Sequence, residues 1–354
     1  MNNYKVPTVA EIKRLIKEKG SLFNVVSLFA GGGGSSCGYR MARGKVLAIN
    51  EFVPEARKTY HLNWPDTYIF PQDVRELSGK DILSKINIKE GELDILDGSP
   101  PCSAFSSSGK KDKLWGKTKR YSDVSQNGVE NLFFEYARIL NEIKPKCFVA
   151  ENVAGLARGV SCGFLNEFFK EFQKNGYVVK AKLLNAKWLG VPQSRERLIF
   201  VGVRKDLWKS EFEDKTHPKP FDYTIPLRDA FRELKNTNEE LKAADISRYS
   251  IYKKLVLLKP GTSHPKRFNL YKASPNIPSF AITATSGNLG AAATRHWENR
   301  AFTISELKRI TSIPDDYIFT GTYQQQAERM GRMVPPLMMK AVAENLYINI
   351  LSKL

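Results

Sequence analysis

"NVVSLFAGGGGSSCG", Asn24 to Gly38, is the stretch on which the fold turns. Its first half is apolar and β-branched and stops at glycine, the pattern of a buried strand. Four glycines, Gly31 to Gly34, then lead into small polar residues that open a helix. Glycines at a strand-to-helix turn let the backbone approach a ligand closely, and the first turn of the helix offers N–H groups. A purely structural turn fits the same run. The GxGxxG spacing of nicotinamide enzymes is not clean here, because the glycines are consecutive, so a dehydrogenase is the poorer second reading.

The same rhythm continues on both sides. "KVLAINE" (Lys45 to Glu51), "LDILDGSPP" (Leu93 to Pro101), "KCFVAENV" (Lys146 to Val153), "VVKAKLLNA" and "RLIFVGVR" read as further strands. Between them Leu132 to Glu142, with Phe133, Tyr136, Ala137 and Leu140 on one face, and Phe164 to Asn175 read as helices. Strands alternating with helices predict a doubly wound, parallel α/β sheet. After Arg204 the alternation fades. The chain is expected to form one large domain over 1–230, a small inserted domain over about 231–279, and a return to the first domain over 280–354. Helices are expected at Thr303 to Thr311 and at Pro336 to Ser352. The last of these is apolar at Leu337, Ala341, Ala343 and Leu346, as if packing back onto the sheet.

Two acids follow the glycine turn. Glu51 ends the second strand about twenty residues on, where a carboxylate meets ribose hydroxyls. Asp73, in "FPQDV", is placed to accept from an adenine amino group. Each alone is more often a solvated surface group; at the ends of successive strands the two read as nucleoside ligands.

"DGSPPCSAFSSSGK" (Asp97 to Lys110) sets Cys102 behind two prolines at a strand's C-terminal end, where open α/β sheets hold their active sites. Proline fixes φ and removes a donor, so the loop is stiff. A thiol held on a stiff, basic loop can have its pKa lowered. Cys37, Cys147 and Cys162 fit the alternative of small buried hydrophobes. No CxxC pair occurs, which argues against a zinc site or a disulfide framework and for a reducing, cytoplasmic setting. Glu151 and Asn152 end the next strand and face the same cleft, Glu151 as a candidate acid. Arg195 and Arg197 alternate at the start of "RERLIFVGVR", hence on one face, and a fork there could hold a carbonyl or phosphate oxygen. A surface ion pair with Glu196 is the plainer alternative.

The formal charge is +18 over 354 residues. From Ile246 to Trp297 there is no Asp or Glu, but there are Arg248, Lys253, Lys254, Lys259, Lys266, Arg267, Lys272 and Arg295. Lys110, Lys111, Lys113, Lys117, Lys119 and Arg120 form a second cluster. Single-signed stretches far apart in sequence suit a phosphate backbone. No apolar run approaches the ~20 residues a membrane span needs, and the charged N-terminus does not read as a signal peptide.

The order "SLFAGGGGSSCG", "GSPPCSAFSSSGK", "ENV", "QSRERLIFVGVR", "FTISELKRITSIPDDY" and "GRMVPPLMMKAVAENL" resembles the DNA cytosine-C5 methyltransferase family, from about Asn24 to the C-terminus outside the variable middle. The resemblance implies a Rossmann-like S-adenosylmethionine-dependent methyltransferase domain carrying a small target-recognition domain, the latter at about 231–279. It implies a double-stranded DNA substrate, no metal, a monomer, and a prokaryotic or phage origin. Phe29 and Phe52 would flank the adenine, Ala30, Gly31 and Gly33 the methionine part, Glu51 the ribose and Asp73 the adenine amino group. Val74, Pro100, Leu132 and Arg332 would complete the cofactor site. Cys102 would add to C6 of a flipped cytosine, Glu151 would bond N3 and Arg197 O2, and Arg195 would help position the cysteine loop and nearby phosphate. Ser106, Lys110 and Lys111 lie in the loop expected to close over DNA. Thr283, in "AITAT", would touch backbone, and Lys253, Lys254, Lys266 and Arg267 would bind DNA.

One motif departs from the family pattern. Where Gly-Asn-Ser/Ala-Val is usual, this chain has Gly331, Arg332, Met333 and Val334. Three readings follow: Arg332 turns outward to solvent or phosphate and activity is kept; the enzyme is crippled and acts as a DNA-binding regulator; or Arg332 pairs with a cofactor carboxylate, as in carboxy-S-adenosylmethionine, and a carboxymethyl group is transferred. An RNA cytosine enzyme of the same family is a further alternative.

Overall fold

A computed structural model describes residues 4–100, 119–120, 125–126, 131–157 and 162–354. The chain divides into two compact units. One comprises Leu15–Leu184, Glu196–Lys219 and Met339–Leu354; the other comprises Met1–Arg14, Asn185–Arg195 and Pro220–Met338.

The first unit is a mixed α/β domain around a seven-stranded sheet. Its strands are β1 (Phe23–Leu28), β2 (Gly44–Asn50), β3 (Tyr68–Phe70), β4 (Ile95–Gly98), β5 (Cys147–Val153), β6 (Tyr177–Asn185) and β7 (Glu196–Arg204), in the order β3-β2-β1-β4-β5-β7-β6. The pairs β1–β2, β2–β3, β1–β4 and β4–β5 are parallel. The sequence rhythm predicts parallel strands throughout, but β7 runs antiparallel to β5. Only residues 186–195 join β6 to β7, its sheet neighbour, and a parallel pair needs a crossover of a dozen or more.

Helices α1 (Val9–Lys19), α2 (Gly34–Met41), α3 (Pro54–Asn63), α4 (Gly79–Ile86), α5 (Leu132–Ile143) and α6 (Cys162–Lys174) fall between or before the strands. The predicted face of α5 is the buried one: Phe133, Tyr136, Ala137 and Leu140 all lie in the core. Phe133 stacks on Phe168, and Phe172 packs against Phe148 and Phe200. Burying each such ring stabilises by roughly 1.5–3 kcal/mol. Tyr136 also fixes the end of β4. Its ring lies where a Cβ on Gly98 would sit, 2.4 Å from Cε2, and its hydroxyl donates toward the Leu96 and Val149 carbonyls. Glycine before Ser99 is therefore a packing requirement.

In the second unit a small sheet forms from β8 (Thr262–His264), β9 (Arg267–Lys272) and β10 (Thr294–Arg295). Helix α7 (Ser250–Val256) supplies Ile251 and Leu255 to a separate core with Ala244, Ile246, Leu270 and Ala301. The predicted segment 231–279 falls wholly inside this unit. Helices α8 (Ile304–Ile310) and α9 (Tyr323–Arg332) follow, each started by a threonine capping box, Thr303 with Glu306 and Thr322 with Gln325. In α10 (Pro336–Asn349) Met338, Met339, Val342, Ala343 and Leu346 are buried, whereas Leu337 and Ala341 are only half-buried. No helix among the described residues is long and apolar enough to cross a membrane.

Candidate active site

The pairing register brings the separate sequence motifs to one edge of the sheet. Leu28 sits opposite both Asn50 and Gly98, Asn50 opposite Phe70, and Gly98 opposite Ala150. The next residue of β1, β2, β3 and β4, Phe29, Glu51, Pro71 and Ser99, leaves the sheet at that edge, while Glu151 stands at the same level within β5, still paired with Ile199 of β7. With strands about 4.8 Å apart, Glu51 and Glu151, three strands from each other, stand roughly 14 Å apart. The strand order reverses between β1 and β4, so this edge is the topological switch point at which open α/β sheets bind ligands.

Phe29 and Gly31 both have positive φ, 55° and 56°, and Gly33 reaches 93° as the residue that begins α2 without a side-chain cap. The strain at Phe29, a bulky residue in the left-handed region, is held by its neighbours. The Ala30 N–H donates to the Asn50 carbonyl at 3.0 Å, and Gly33 to the Ala30 carbonyl at 3.0 Å. Glu51 is buried at the turn. Its Oε2 accepts from the Gly31 N–H at 2.6 Å and its Oε1 from the Val53 N–H at 2.7 Å. Asp73 caps a short 3₁₀ turn, accepting from the Arg75 N–H at 3.1 Å and from the Arg75 guanidinium at 3.0 and 2.9 Å. Phe52 is half-buried and Pro100 buried, while Val74 and Leu132 belong to the apolar core.

Arg197 Nε lies 2.5 Å from Glu151 Oε1. In the ladder Glu151 faces Ile199 and Arg197 faces Val153, so the two are diagonal neighbours on one face. Behind this edge lies Asp97, which is 1% exposed. It pairs with Ser27 across β1 and β4, and its Oδ2 accepts from the Ser27 hydroxyl at 2.6 Å while Oδ1 accepts from the Tyr39 hydroxyl at 3.2 Å. Burial pushes its carboxyl up to about 7, against the lowering effect of the two hydroxyls and with a smaller push from Glu151.

In the other unit Arg195 is 3% exposed and acts as a staple. Its Nη1 donates to the Ile282 carbonyl at 2.8 Å and its Nη2 to the Gly331 carbonyl at 2.9 Å. This differs from the predicted fork held with Arg197 toward a substrate oxygen: the two arginines have separate partners. Gln193 works beside Arg195, its Oε1 accepting from the Ile282 N–H at 3.0 Å. Gly331 packs so closely on the next turn that a Cβ there would meet the Thr283 carbonyl carbon and oxygen at 2.3 Å. Thr283 itself is exposed, its hydroxyl 3.0 Å from that of Thr285. Arg332, at the end of α9, sets Nε and Nη2 on Glu328 Oε1 at 2.9 and 2.8 Å, an i,i+4 pair.

Lys253, Lys266 and Arg267 are exposed and Lys254 is half-buried. Two other members of the acid-free stretch are structural. Arg295, 1% exposed, donates to the carbonyls of Ser286, Asn288, Leu289 and Ala291, and buried Lys272 donates to the Leu258 carbonyl. Charge counting alone does not separate such internal cations from surface ones.

A family model described as C-5 cytosine-specific DNA methylase matches residues 23–347. The chain belongs to this family. It is 32% identical over 336 residues to the Type II methyltransferase M1.HphI of Haemophilus parahaemolyticus, covering 90% of this chain and 85% of that protein. It is 31% identical to M.NgoFVII of Neisseria gonorrhoeae over 88% of this chain and 83% of that one. Among solved structures, an Escherichia coli prophage-encoded protein assigned as a DNA modification methyltransferase superposes with a TM-score of 0.73 at 21% identity, covering 93% of this chain and 99% of that chain.

Within the family frame, Cys102, Ser106, Lys110 and Lys111 lie outside the described residues. Among the described residues no group of three His, Cys, Asp or Glu could hold a metal ion. Sequence reasoning missed the buried carboxylate of Asp97 behind the sheet edge. Its signal was available: a carboxylate at an inward position of an otherwise apolar strand needs partners, and Ser27 stands at the matching place in β1.

Proposed function

We propose that this protein transfers a methyl group from S-adenosylmethionine to C5 of cytosine in double-stranded DNA, acting as a monomer. The observation that carries the reading is the Glu151–Arg197 pair standing on the same sheet edge as Phe29 and Glu51. The residues of the first unit fit the cofactor. Among the described residues, apart from its chain neighbours, no atom lies within 4 Å of where a Gly31 Cβ would sit, so the turn leaves space beside its backbone. Glu51, which accepts from the Gly31 and Val53 N–H groups, is the carboxylate that would meet the ribose hydroxyls at this turn. When bound, S-adenosylmethionine supplies an electrophilic methyl on a sulfonium.

The roles of the chain's own residues follow. Cytosine C5 is a poor nucleophile. Addition of the Cys102 thiolate to C6 of a flipped cytosine makes the ring enamine-like, so that C5 takes the methyl; loss of the C5 proton and of the thiolate restores the aromatic ring. Glu151 holds a proton at N3 as charge develops, and Arg197 steadies both Glu151 and the O2 edge. Asp73 and Arg75, already paired, present a carboxylate edge to the adenine amino group.

The Arg332–Glu328 pair supports methyl as the group transferred, because a cofactor carboxylate would have to displace Glu328. Carboxymethyl transfer from carboxy-S-adenosylmethionine is the competing finer reading. Mass analysis of nucleosides from DNA treated with each cofactor decides between them: 5-methylcytosine with no carboxymethyl product is expected. A product dominated by 5-carboxymethylcytosine, shifted toward methyl by Arg332→Asn, would overturn the methyl reading. The family favours neither a DNA-binding regulator nor an RNA substrate.

A further inference from the structure

The hairpin of β8 and β9 carries a feature that the transfer reaction does not use. Its antiparallel register runs Thr262 opposite Lys272 and Ser263 opposite Tyr271, then jumps to His264 opposite Arg267. An unbroken ladder would set Leu270 against His264. Phe268, Asn269 and Leu270 instead bow out of the pairing. Leu270 turns inward and is fully buried with Ile251 and Leu255. Phe268 turns outward and is 76% exposed.

Bulges of this kind re-aim side chains and mark functional edges. Leaving a phenylalanine ring in water forgoes roughly 1.5–3 kcal/mol of burial, which a partner can recover. The chemistry around the ring identifies that partner. Pro265, Lys266, Arg267 and Asn269 are exposed beside it, Lys253 and Lys259 are exposed in the same unit, and no acid occurs from Ile246 to Trp297. A second copy of the chain would bring the same positive charge. Duplex DNA brings phosphates for the cations and apolar base edges for the ring, and its major groove admits a two-stranded β-ribbon.

We propose that the β8–β9 hairpin enters the major groove and that Phe268 packs against base edges there, making it a specificity-determining residue, with Lys266 and Arg267 on the flanking phosphates. The proposal rests on the reading of DNA as substrate and names the element that reads it. Phosphate contacts give affinity without sequence information, so the ring and the cations have separable effects.

The test compares wild-type protein with Phe268→Ala, Phe268→Leu and Lys266→Ala. Methylated positions are mapped on a random-sequence DNA library, and binding to duplexes with and without the mapped site is followed by fluorescence anisotropy over a salt series. Phe268→Ala is expected to weaken binding to the mapped site at least tenfold, to broaden the set of methylated sites, and to keep the wild-type salt slope. Phe268→Leu recovers part of the loss. Lys266→Ala weakens binding to all duplexes alike and lowers the salt slope by about one. Unchanged site affinity and an unchanged site set in Phe268→Ala overturn the proposal. So does a concentration-dependent dimer in sedimentation that Phe268→Ala abolishes, which assigns the ring to a second copy. Thermal melting checks that the exposed substitution leaves the fold intact. If the wild-type protein binds duplex DNA but methylates none, the activity reading fails, while the affinity and salt-slope comparison still decides the role of Phe268.

Discussion

Arg197 Nε and Glu151 Oε1 stand 2.5 Å apart, a diagonal contact between two antiparallel strands. Both side chains are largely enclosed, at 17% and 11% exposure, so the contact is more than a solvated surface pair. Glu151→Gln keeps the shape and removes the transferable proton. It is expected to lower methyl transfer by about 10²–10⁴-fold. Arg197→Lys retains charge but not the planar fork, and is expected to rescue little of the loss seen in Arg197→Ala. Single-turnover transfer of labelled methyl to DNA measures both; near-wild-type turnover by Glu151→Gln would remove Glu151 from the chemistry.

Glu51 organises the glycine turn through two backbone N–H groups. Hydrogen bonds to charged groups are worth about 1.5–3 kcal/mol each. Glu51→Ala is expected to weaken S-adenosylmethionine binding ten- to a hundredfold in calorimetric titration without DNA, with Glu51→Gln intermediate. Equal affinity in all three proteins would show that the ribose is held elsewhere.

Arg195 is predicted to act on stability. Arg195→Met strands the Ile282 and Gly331 carbonyls, each at a cost of about 1–3 kcal/mol. A fall of several degrees in Tm is expected, at ~2–4 °C per kcal/mol for a chain segment of 150–250 residues. Gly331→Ala should be at least as damaging, because its Cβ meets backbone atoms of Thr283 that cannot rotate away. Scanning calorimetry checks both, and an unchanged Tm in Arg195→Met would disprove the staple.

Asp97 gives the fold a pH dependence. Its carboxyl is pushed up to about 7 from an ordinary value of 3.8, so between those values the folded protein holds a proton that the unfolded chain releases. Stability from this group is fully present below pH 3.8 and is lost as pH rises through 7. Asp97→Asn removes the titration. Its Tm relative to wild type is therefore expected to climb between pH 5 and pH 8, by the equivalent of roughly 3 kcal/mol at 1.36 kcal/mol for each of the two units from pH 5 to 7. A Tm difference that stays flat across that range would mean Asp97 does not hold the proton.

The sheet, and the gathering of the glycine turn, Glu51 and Glu151 at one edge of it, were legible because their signals are local: β-branched runs, a glycine turn, and acids at the ends of successive strands. The direction of β7 was not, since antiparallel pairing follows from the length of 186–195 and not from the pattern within "RLIFVGVR". The burial of Arg195 and Arg295 was hidden for one reason. A guanidinium can be sequestered wherever backbone carbonyls converge, and convergence of Ile282 with Gly331, or of Ser286 with Ala291, is a property of tertiary structure. The Phe268 bulge was equally hidden, because the jump in register that sets His264 opposite Arg267 is set by the partner strand and leaves no mark within "KRFNLYK".

The alignment of Leu28, Asn50, Phe70, Gly98 and Ala150 also limits how this enzyme can change. A slip of β5 by a single residue would turn Glu151 to the opposite side of the sheet, into the layer occupied by aromatic rings. Insertions past the edge leave every strand in step. Diversification is thus channelled into the loops, while hydrogen bonds deep in the sheet hold the spacing of the reactive groups constant.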